Sequence, residues 1–342
     1  MYSDLPSMRQ RSRIVLGGLL MLALVALLIA GISGSVALSA GDLWHGITQI
    51  WHGRQEMAGT LLQLRLERAG SAFVTGAMLA LAGVLMQALL RNPLADPYVL
   101  GVSGGAAVGA LLAMLLAGAA WMIDAAAFGG ALLVALLLFA LAHRDLHGAQ
   151  GGGEPSLLLL TGVIVASGCG ALVTLMLSLA PDGRLRGMVF WLIGDLSGAQ
   201  WRWLPWLILI GALLAAGRAA RAINVLAMHA QSAVTLGIRV VALRRGLFAL
   251  AALLTASAVA GAGSIGFVGL IVPHACRFAL GPDHRLLLPA ATLSGGIFLM
   301  LADTAARSLI APQQLPVGVI TVLIGAPLFL LQLHYLQKLR RA

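Results

Sequence analysis

Long apolar stretches, separated by short polar ones, run along the whole chain. An α-helix rises 1.5 Å per residue, so about 20 apolar residues cross a bilayer core of about 30 Å. Apolar stretches of roughly this size predict ten membrane spans. They lie at about 14–33, 61–89, 98–117, 124–142, 157–180, 203–217, 247–262, 265–280, 286–306 and 317–336. A further surface helix is predicted near Leu43 to Trp51 in the first outer loop.

Composition supports the same class. The chain is 60% hydrophobic and 10% charged, with a mean hydropathy of +0.96. A soluble domain of this length needs far more polar surface. In lipid, only helices and closed barrels satisfy their backbone hydrogen bonds, and these unbroken runs have helical length. We therefore predict one all-α, polytopic transmembrane domain over residues 1–342, in which Cys169 and Cys276 are buried free thiols.

The basic residues indicate the orientation. Ten spans place both termini on one side, and if that side is the cytoplasm, 15 basic residues lie inside and 7 outside, which accounts for all 22. Cytoplasmic loops carry the excess of Lys and Arg, so both termini are predicted to be cytoplasmic. The net charge of +10 is then explained without nucleic acid as a partner. The first span is predicted to be retained; cleavage after a signal-like Ser35-Val36-Ala37 is the alternative.

The longest polar interruption is residues 218–246, which this orientation places in the cytoplasm. It carries five arginines: Arg218, Arg221, Arg239, Arg244 and Arg245. Asn224 is expected to cap a short helix, and Gly237 to end a second one in a left-handed conformation. The segment is therefore predicted to be a docking surface for a cytoplasmic partner. A connector lying on anionic lipid is the alternative.

The end of the second span carries a second break. Pro93 and Pro97 cannot continue a helix, so the chain must turn at the inner face. Gly101, Gly105 and Gly109 then recur every four residues, which predicts a smooth helix face for close packing; a pore lining is the alternative.

The chain lacks the usual means of hydrolysing ATP. Its only lysine is Lys338, with no glycine loop before it, so a Walker A phosphate loop is excluded and any ATP-driven process needs a separate ATPase chain. His143 and His147 stand four apart without a suitable third ligand, so we predict no metal site.

Three further positions have two interpretations each. His274 and His284 flank an inner turn and could contact a cargo, haem iron included; hydrogen bonding at a helix end is the alternative. Asp303 lies within a span, where ionisable residues are candidates for function. A proton-relay role for Asp303 would make the protein a proton-coupled secondary transporter. The alternative is an ion pair with Arg307 on the helix surface.

Several motifs together resemble the permease subunits of ABC importers for iron–siderophore complexes, haem and vitamin B12. The matching stretches are Arg91-Asn92-Pro93-Leu94-Ala95-Asp96-Pro97, Leu100-Gly101-Val102-Ser103-Gly104-Gly105-Ala106, Gly266-Phe267-Val268-Gly269-Leu270-Ile271-Val272-Pro273-His274, Asp283-His284-Arg285-Leu286-Leu287-Leu288-Pro289, Ala302-Asp303, Leu315-Pro316-Val317-Gly318-Val319-Ile320-Thr321 and Gly325-Ala326-Pro327. They extend from the second span to the tenth, so the resemblance covers nearly the whole chain.

The resemblance implies a transport subunit rather than an enzyme, located in a bacterial inner membrane. It implies a homodimer, two cytoplasmic ATPase subunits that use ATP and Mg, and a periplasmic substrate-binding protein. The cargo would be haem, an iron–siderophore complex or cobalamin, and this chain itself would bind no cofactor.

The resemblance also implies roles for individual residues. The binding protein would dock on Arg65, Arg68 and Arg307. A cytoplasmic gate would be formed by Asn92, Pro93, Leu94, Pro155 and Ser156. The ATPase would contact Asn224, Val225, Leu226, Ala227, Met228, His229, Ala230, Gln231, Leu236 and Gly237. Two stretches depart from the family pattern: Glu67 lies within the docking motif, and His229-Ala230-Gln231 replaces a stretch that commonly contains glycine and an acid.

Overall fold

A computed structural model describes residues 8–34, 40–51, 56–141, 156–228 and 230–341. Within these ranges the secondary structure is helical throughout, with no strand. Thirteen α-helices are described. They are α1 (Met8–Ile32), α2 (Ala40–Trp51), α3 (Met57–Leu90), α4 (Val102–Leu115), α5 (Ala120–Leu141), α6 (Ser156–Ser178), α7 (Asp182–Ile193), α8 (Trp203–Met228), α9 (Ala230–Thr235), α10 (Val240–Ala262), α11 (Val268–Leu280), α12 (His284–Ser308) and α13 (Val317–Arg341). A short 3₁₀ helix, Pro97–Leu100, precedes α4.

Each of the ten predicted spans coincides with a helix. Among the described residues, seven helices are long and apolar enough to cross a membrane, and α4, α11 and α13 supply three shorter apolar segments. The predicted surface helix is α2. The all-α, polytopic fold is therefore confirmed.

Helix α3 lies at the centre of the bundle and contacts α1, α2, α8, α10, α11 and α12. Of its most apolar window, 94% is buried inside the protein, so α3 faces other helices rather than lipid. Glycines permit this close packing. A Cβ at Gly76 would overlap the carbonyl oxygen of Gly295 on α12, and one at Gly83 would overlap that of Gly269 on α11.

The glycine face of α4 is confirmed as a packing surface. A Cβ at Gly105 would overlap the carbonyl oxygen of Gly130 on α5, and one at Gly109 would overlap that of Ala126. With no side chain at these positions the two backbones come into contact, as small residues allow between membrane helices.

The polar interruption predicted over residues 218–246, with two short helices inside it, is largely occupied by the two flanking helices. Helix α8 continues to Met228 and α10 already begins at Val240. Because 218–228 contains neither glycine nor proline and is rich in alanine, the helix continues despite its arginines. The short helix α9 occupies much of the remainder.

Of the two capping predictions for this segment, one is wrong and one is confirmed. Asn224 lies inside α8 and caps no short helix. Gly237 has φ +74°, and α9 ends in a Schellman motif: the Gly237 amide donates to the Val234 carbonyl (2.9 Å), and the Ile238 amide to that of Ala233 (3.0 Å).

Candidate functional site

Two groups of polar residues lie at opposite ends of the bundle. Following the predicted orientation, we call the end with the α11–α12 turn the inner end and the opposite one the outer end. The outer cluster comprises Arg65, Arg68, Asp303 and Arg307. The inner network comprises Asn224, Asp283 and His284.

Asp303 is the centre of the outer cluster. It projects from α12 and accepts hydrogen bonds from Arg68 of α3: Nε donates to Oδ2 at 2.9 Å and Nη2 to Oδ1 at 2.8 Å. Arg68 Nη1 also donates to Oε1 of Gln314 at 2.8 Å. On the other side, Arg307 Nε lies 3.8 Å from Asp303 Oδ2. One carboxylate therefore lies between two guanidinium groups from two helices.

Arg65 and Arg307 also donate hydrogen bonds to backbone carbonyls at the C-terminal end of α1. Arg65 Nη1 donates to the carbonyl oxygens of Gly31 (3.0 Å) and Ile32 (2.8 Å), and Arg307 Nη2 donates to that of Ala30. The last four carbonyls of a helix have no partner within it, and they form the negative end of its dipole. The two cations satisfy three of these carbonyls, so α1 is fixed to α3 and α12.

Arg65 and Arg307 are buried, with only 7% and 5% of their surfaces exposed in the single chain. The ion pair predicted between Asp303 and Arg307 is present at 3.8 Å. Its predicted place on the helix surface is wrong, because Asp303 is 1% exposed and its closer partner is Arg68 at 2.8 Å. Docking of a partner at this cluster remains a prediction.

The same geometry bears on the proton-relay alternative. Both carboxylate oxygens of Asp303 are held by Arg68. Nothing in the described part of the chain favours proton transfer at this carboxylate.

The inner network joins α8 to the start of α12. Asn224 Nδ2 donates to Asp283 Oδ1 at 2.7 Å. Asn224 Oδ1 accepts from the backbone amide of His284 at 2.9 Å and lies 2.7 Å from its ring Nδ1. Since Oδ1 can only accept, Nδ1 carries the proton in this contact. One amide side chain thus contacts two consecutive residues about 60 positions away.

Asp283 is the N-cap of α12. Its Oδ1 accepts from the Arg285 amide at 3.0 Å, which is the usual function of aspartate at a helix start. Partial burial alone would raise the pKa of Asp283. The hydrogen bonds from the Arg285 amide and from Asn224, together with the positive charge of Arg285, instead lower this pKa below its ordinary value.

A cleft of about 610 Å³ opens beside the inner network. It is lined by Gln87, Ala88, Arg91, Pro93, Asn224, Ala227, Arg277, Pro282, Asp283 and His284. Gln87 and His284 are each 3% exposed, and within the described residues Gln87 Oε1 and His284 Nε2 have no hydrogen-bond partner. The wall of the cleft therefore contains guanidinium groups and two buried acceptor atoms without a described partner.

The two candidate cargo histidines have different environments. His284 lines the cleft and hydrogen-bonds at a helix start, as the structural alternative predicted. His274 is absent from the lining, and its ring packs against Phe329 of α13 with centroids 6.3 Å apart. Cargo contact by either residue stays a prediction.

The candidate gate segment is a tight turn. Helix α3 ends at Leu90, Arg91 adopts φ +48°, and Asn92 Oδ1 accepts from the Leu94 amide at 2.9 Å. This confirms the predicted break. Leu94 is 45% exposed. Of the second gate loop, Pro155 lies outside the described residues, and Ser156 is the first residue of α6.

The candidate ATPase contacts divide into helical and terminal residues. Asn224, Val225, Leu226, Ala227 and Met228 form the last turn of α8, while Ala230 and Gln231 begin α9. Leu226 is buried, whereas Leu236 is 68% exposed beside Gly237. His229 lies outside the described residues, as do His143 and His147. Within the described ranges, no group of three or more His, Cys, Asp or Glu side chains could hold a metal ion.

Comparisons with known proteins agree along nearly the whole chain. Residues 20–335 match the FecCD transport family. The cobalamin import system permease protein BtuC of Halobacterium salinarum is 44% identical over 281 residues, which cover 81% of this chain and 73% of that protein. The hemin transport system permease protein HmuU of Yersinia pestis is 39% identical over 335 residues, covering 94% and 96%.

A solved structure is also similar. It is described as an inward-facing conformation of a metal-chelate type ABC transporter, and it superposes with a TM-score of 0.81 at 29% sequence identity. The match covers 94% of this chain and 99% of the solved one.

Proposed function

The chain belongs to the FecCD transport family, and from this premise we propose that it is the membrane permease subunit of an ATP-driven importer. The observation that carries the proposal is the length of the match: it includes all ten apolar segments except the start of the first. Both ends of the bundle are therefore included, with the outer cluster at one and the inner network at the other.

The proposed cargo class is a large metal chelate or corrinoid: haem, an iron–siderophore complex or cobalamin. Support comes from the names of relatives, of which one imports hemin and another cobalamin. Because those cargoes differ while both relatives are about 40% identical to this chain, identity alone does not select one.

The proposed assembly is two copies of this chain with two cytoplasmic ATPase subunits and a periplasmic binding protein, in a bacterial inner membrane. ATP and Mg would be bound by the ATPase subunits, since this chain has no Walker A loop. The motor would contact the inner ends of α8 and α9, where Leu236 presents an exposed apolar side chain.

The binding protein would dock near the outer cluster. Arg65 and Arg307 are buried in the single chain, so the proposed role is a positive potential beneath the surface rather than three protruding cations. Such a potential steers and orients an acidic partner. Replacing Arg307 with Glu should weaken binding-protein affinity at low salt, whereas exposed Arg186→Gln on α7 should not; equal affinities would contradict this docking assignment.

The proposed function is tested by assembly and stimulation of ATP hydrolysis. The chain, co-expressed with its ATPase partner, should co-purify in a complex with equal numbers of both subunits. Hydrolysis by that complex in liposomes should rise when binding protein and cargo are added. If the ATPase does not co-purify, or its hydrolysis rate is indifferent to binding protein and cargo, the proposal is wrong.

A further inference from the structure

Helix α12 is held at both of its ends by side chains from other helices. At its inner start, Asn224 of α8 contacts Asp283 and His284. Near its outer end, Asp303 is bound by Arg68 of α3. A helix of 25 residues is about 37 Å long, which exceeds the thickness of a bilayer core. The two contacts therefore connect opposite ends of the bundle through a single element.

Beyond Pro289, which removes one backbone hydrogen bond near the inner start, α12 has little freedom to shift separately. It packs along α3 and α1, and its backbone meets that of α3 where a Cβ at Gly295 would overlap the carbonyl oxygen of Gly76. A helix packed this closely moves as a unit, because close-packed interiors do not deform continuously. A displacement of its inner start would therefore be felt by Asp303.

Asn224 is placed to cause such a displacement. It lies in the last turns of α8, directly before α9, and α9 packs on α8. Both hydrogen-bonding groups of its amide are used: Nδ2 binds the N-cap carboxylate, and Oδ1 binds the first amide of α12. Asn224 thereby gives the first amide of α12 a partner that the helix itself cannot supply.

From this geometry we propose that Asn224 is a positioning residue that connects the ATPase-facing segment to α12, and through α12 to the outer cluster. The inference rests on the proposed function, because it assumes that the motor contacts α8 and α9. Movement of these helices would be transmitted to the N-terminus of α12 by the Asn224 amide. Asn224 itself need not touch the ATPase or the cargo.

The test compares cargo imported with ATP hydrolysed in proteoliposomes that contain the whole complex. Asn224→Ala removes both hydrogen-bonding groups, and Arg13→Gln, an exposed residue on α1 outside the ATPase-facing segment, is the control. In Asn224→Ala the ATPase should still co-purify and hydrolyse ATP, while cargo imported per ATP falls roughly five-fold, the range expected for losing such a hydrogen bond. Arg13→Gln should keep the wild-type ratio.

A charge swap separates this role from a general loss of folding. Asn224→Asp places a second carboxylate against Asp283 and should lower the ratio. Adding Asp283→Asn removes the repulsion, because the contact then again joins one amide and one carboxylate. The double variant should recover at least half of the cargo import per ATP that Asn224→Asp loses. Recovery by the pair supports the link whatever the stability of Asn224→Ala.

Different results would refute the proposed function and the positioning role of Asn224. If the wild-type complex imports no cargo with ATP, the proposed function itself is wrong. If wild type imports and Asn224→Ala has the same ratio, only the positioning role is wrong. Loss of ATPase co-purification in Asn224→Ala overturns the positioning role as well, because the residue is then a direct contact. The positioning role is also wrong if the double variant Asn224→Asp/Asp283→Asn imports no more cargo per ATP than Asn224→Asp alone.

Discussion

Replacing Asp303 with Asn should destabilise the protein strongly, although the two side chains have nearly the same shape. Asp303 is 1% exposed and binds Arg68 through two oxygens, with Arg307 at 3.8 Å. The substitution leaves two guanidinium groups without their anion. Removing one partner of a buried ion pair costs about 3–5 kcal/mol. Because Arg68 is 11% exposed and keeps Gln314, we expect the lower end, about 3 kcal/mol.

The assay is denaturant-induced unfolding in detergent, followed by tryptophan fluorescence. A double-mutant cycle isolates the pair: Arg68→Gln, Asp303→Asn and both together. The double variant should be more stable than the sum of the single losses predicts, by about 2 kcal/mol, since neither charge is then left alone. Asp195→Asn provides a control, because that carboxylate bonds only Ser197 among the contacts described for it.

Two outcomes would refute the reasoning. Asp303→Asn could lie within about 0.5 kcal/mol of wild type, the range of ordinary surface substitutions. The cycle could also show strict additivity. Either result means that Arg68 and Asp303 do not depend on each other for stability, and the outer cluster is then not the anchor of α12 described above.

Three further predictions follow from other contacts. Gly295→Ala should destabilise the α3–α12 contact by about 1–3 kcal/mol in the same assay, whereas Gly129→Ala, whose added Cβ meets nothing within 4 Å, should not; equal effects would contradict the close-packing argument. Arg65→Ala should accelerate hydrogen exchange at the end of α1, while exposed Arg13→Ala should leave it unchanged. Because the pKa of Asp283 is lowered on folding, its stabilisation of the first turn of α12 is fully present above the ordinary aspartate pKa of 3.8 and is lost as pH falls through the lowered value. The protection factors of the amides at 285–287, which are corrected for the intrinsic pH dependence of exchange, should therefore fall at low pH in wild type and lose that dependence in Asp283→Asn.

Hydropathy alone was sufficient to predict where the ten apolar helices lie, because a helix in lipid must carry mostly apolar side chains along its length. The proline break after Leu90 and the left-handed Gly237 were also predictable, since each depends on local backbone chemistry. The extent of α8 was not. Its arginines suggested a loop, but polarity does not end a helix unless a breaker or a cap is present.

The polar contacts were the least predictable part. Asn224 meets Asp283 across 59 positions, and Arg68 meets Asp303 across 235, so no periodicity connects them. One local signal was available for the inner network: Pro282-Asp283-His284 has an aspartate directly before an apolar helix, which is typical of an N-cap. The burial of Arg65 and Arg307 had no such signal, because it depends on where α1 ends.

Cargo uptake into proteoliposomes tests the central claim most directly. Liposomes containing the permease and its ATPase, with ATP inside and binding protein with cargo outside, should accumulate cargo without a proton gradient. Omitting either the ATPase or the ATP should abolish uptake. Uptake that persists without the ATPase and follows an imposed proton gradient would contradict the account and restore Asp303 as a candidate proton carrier.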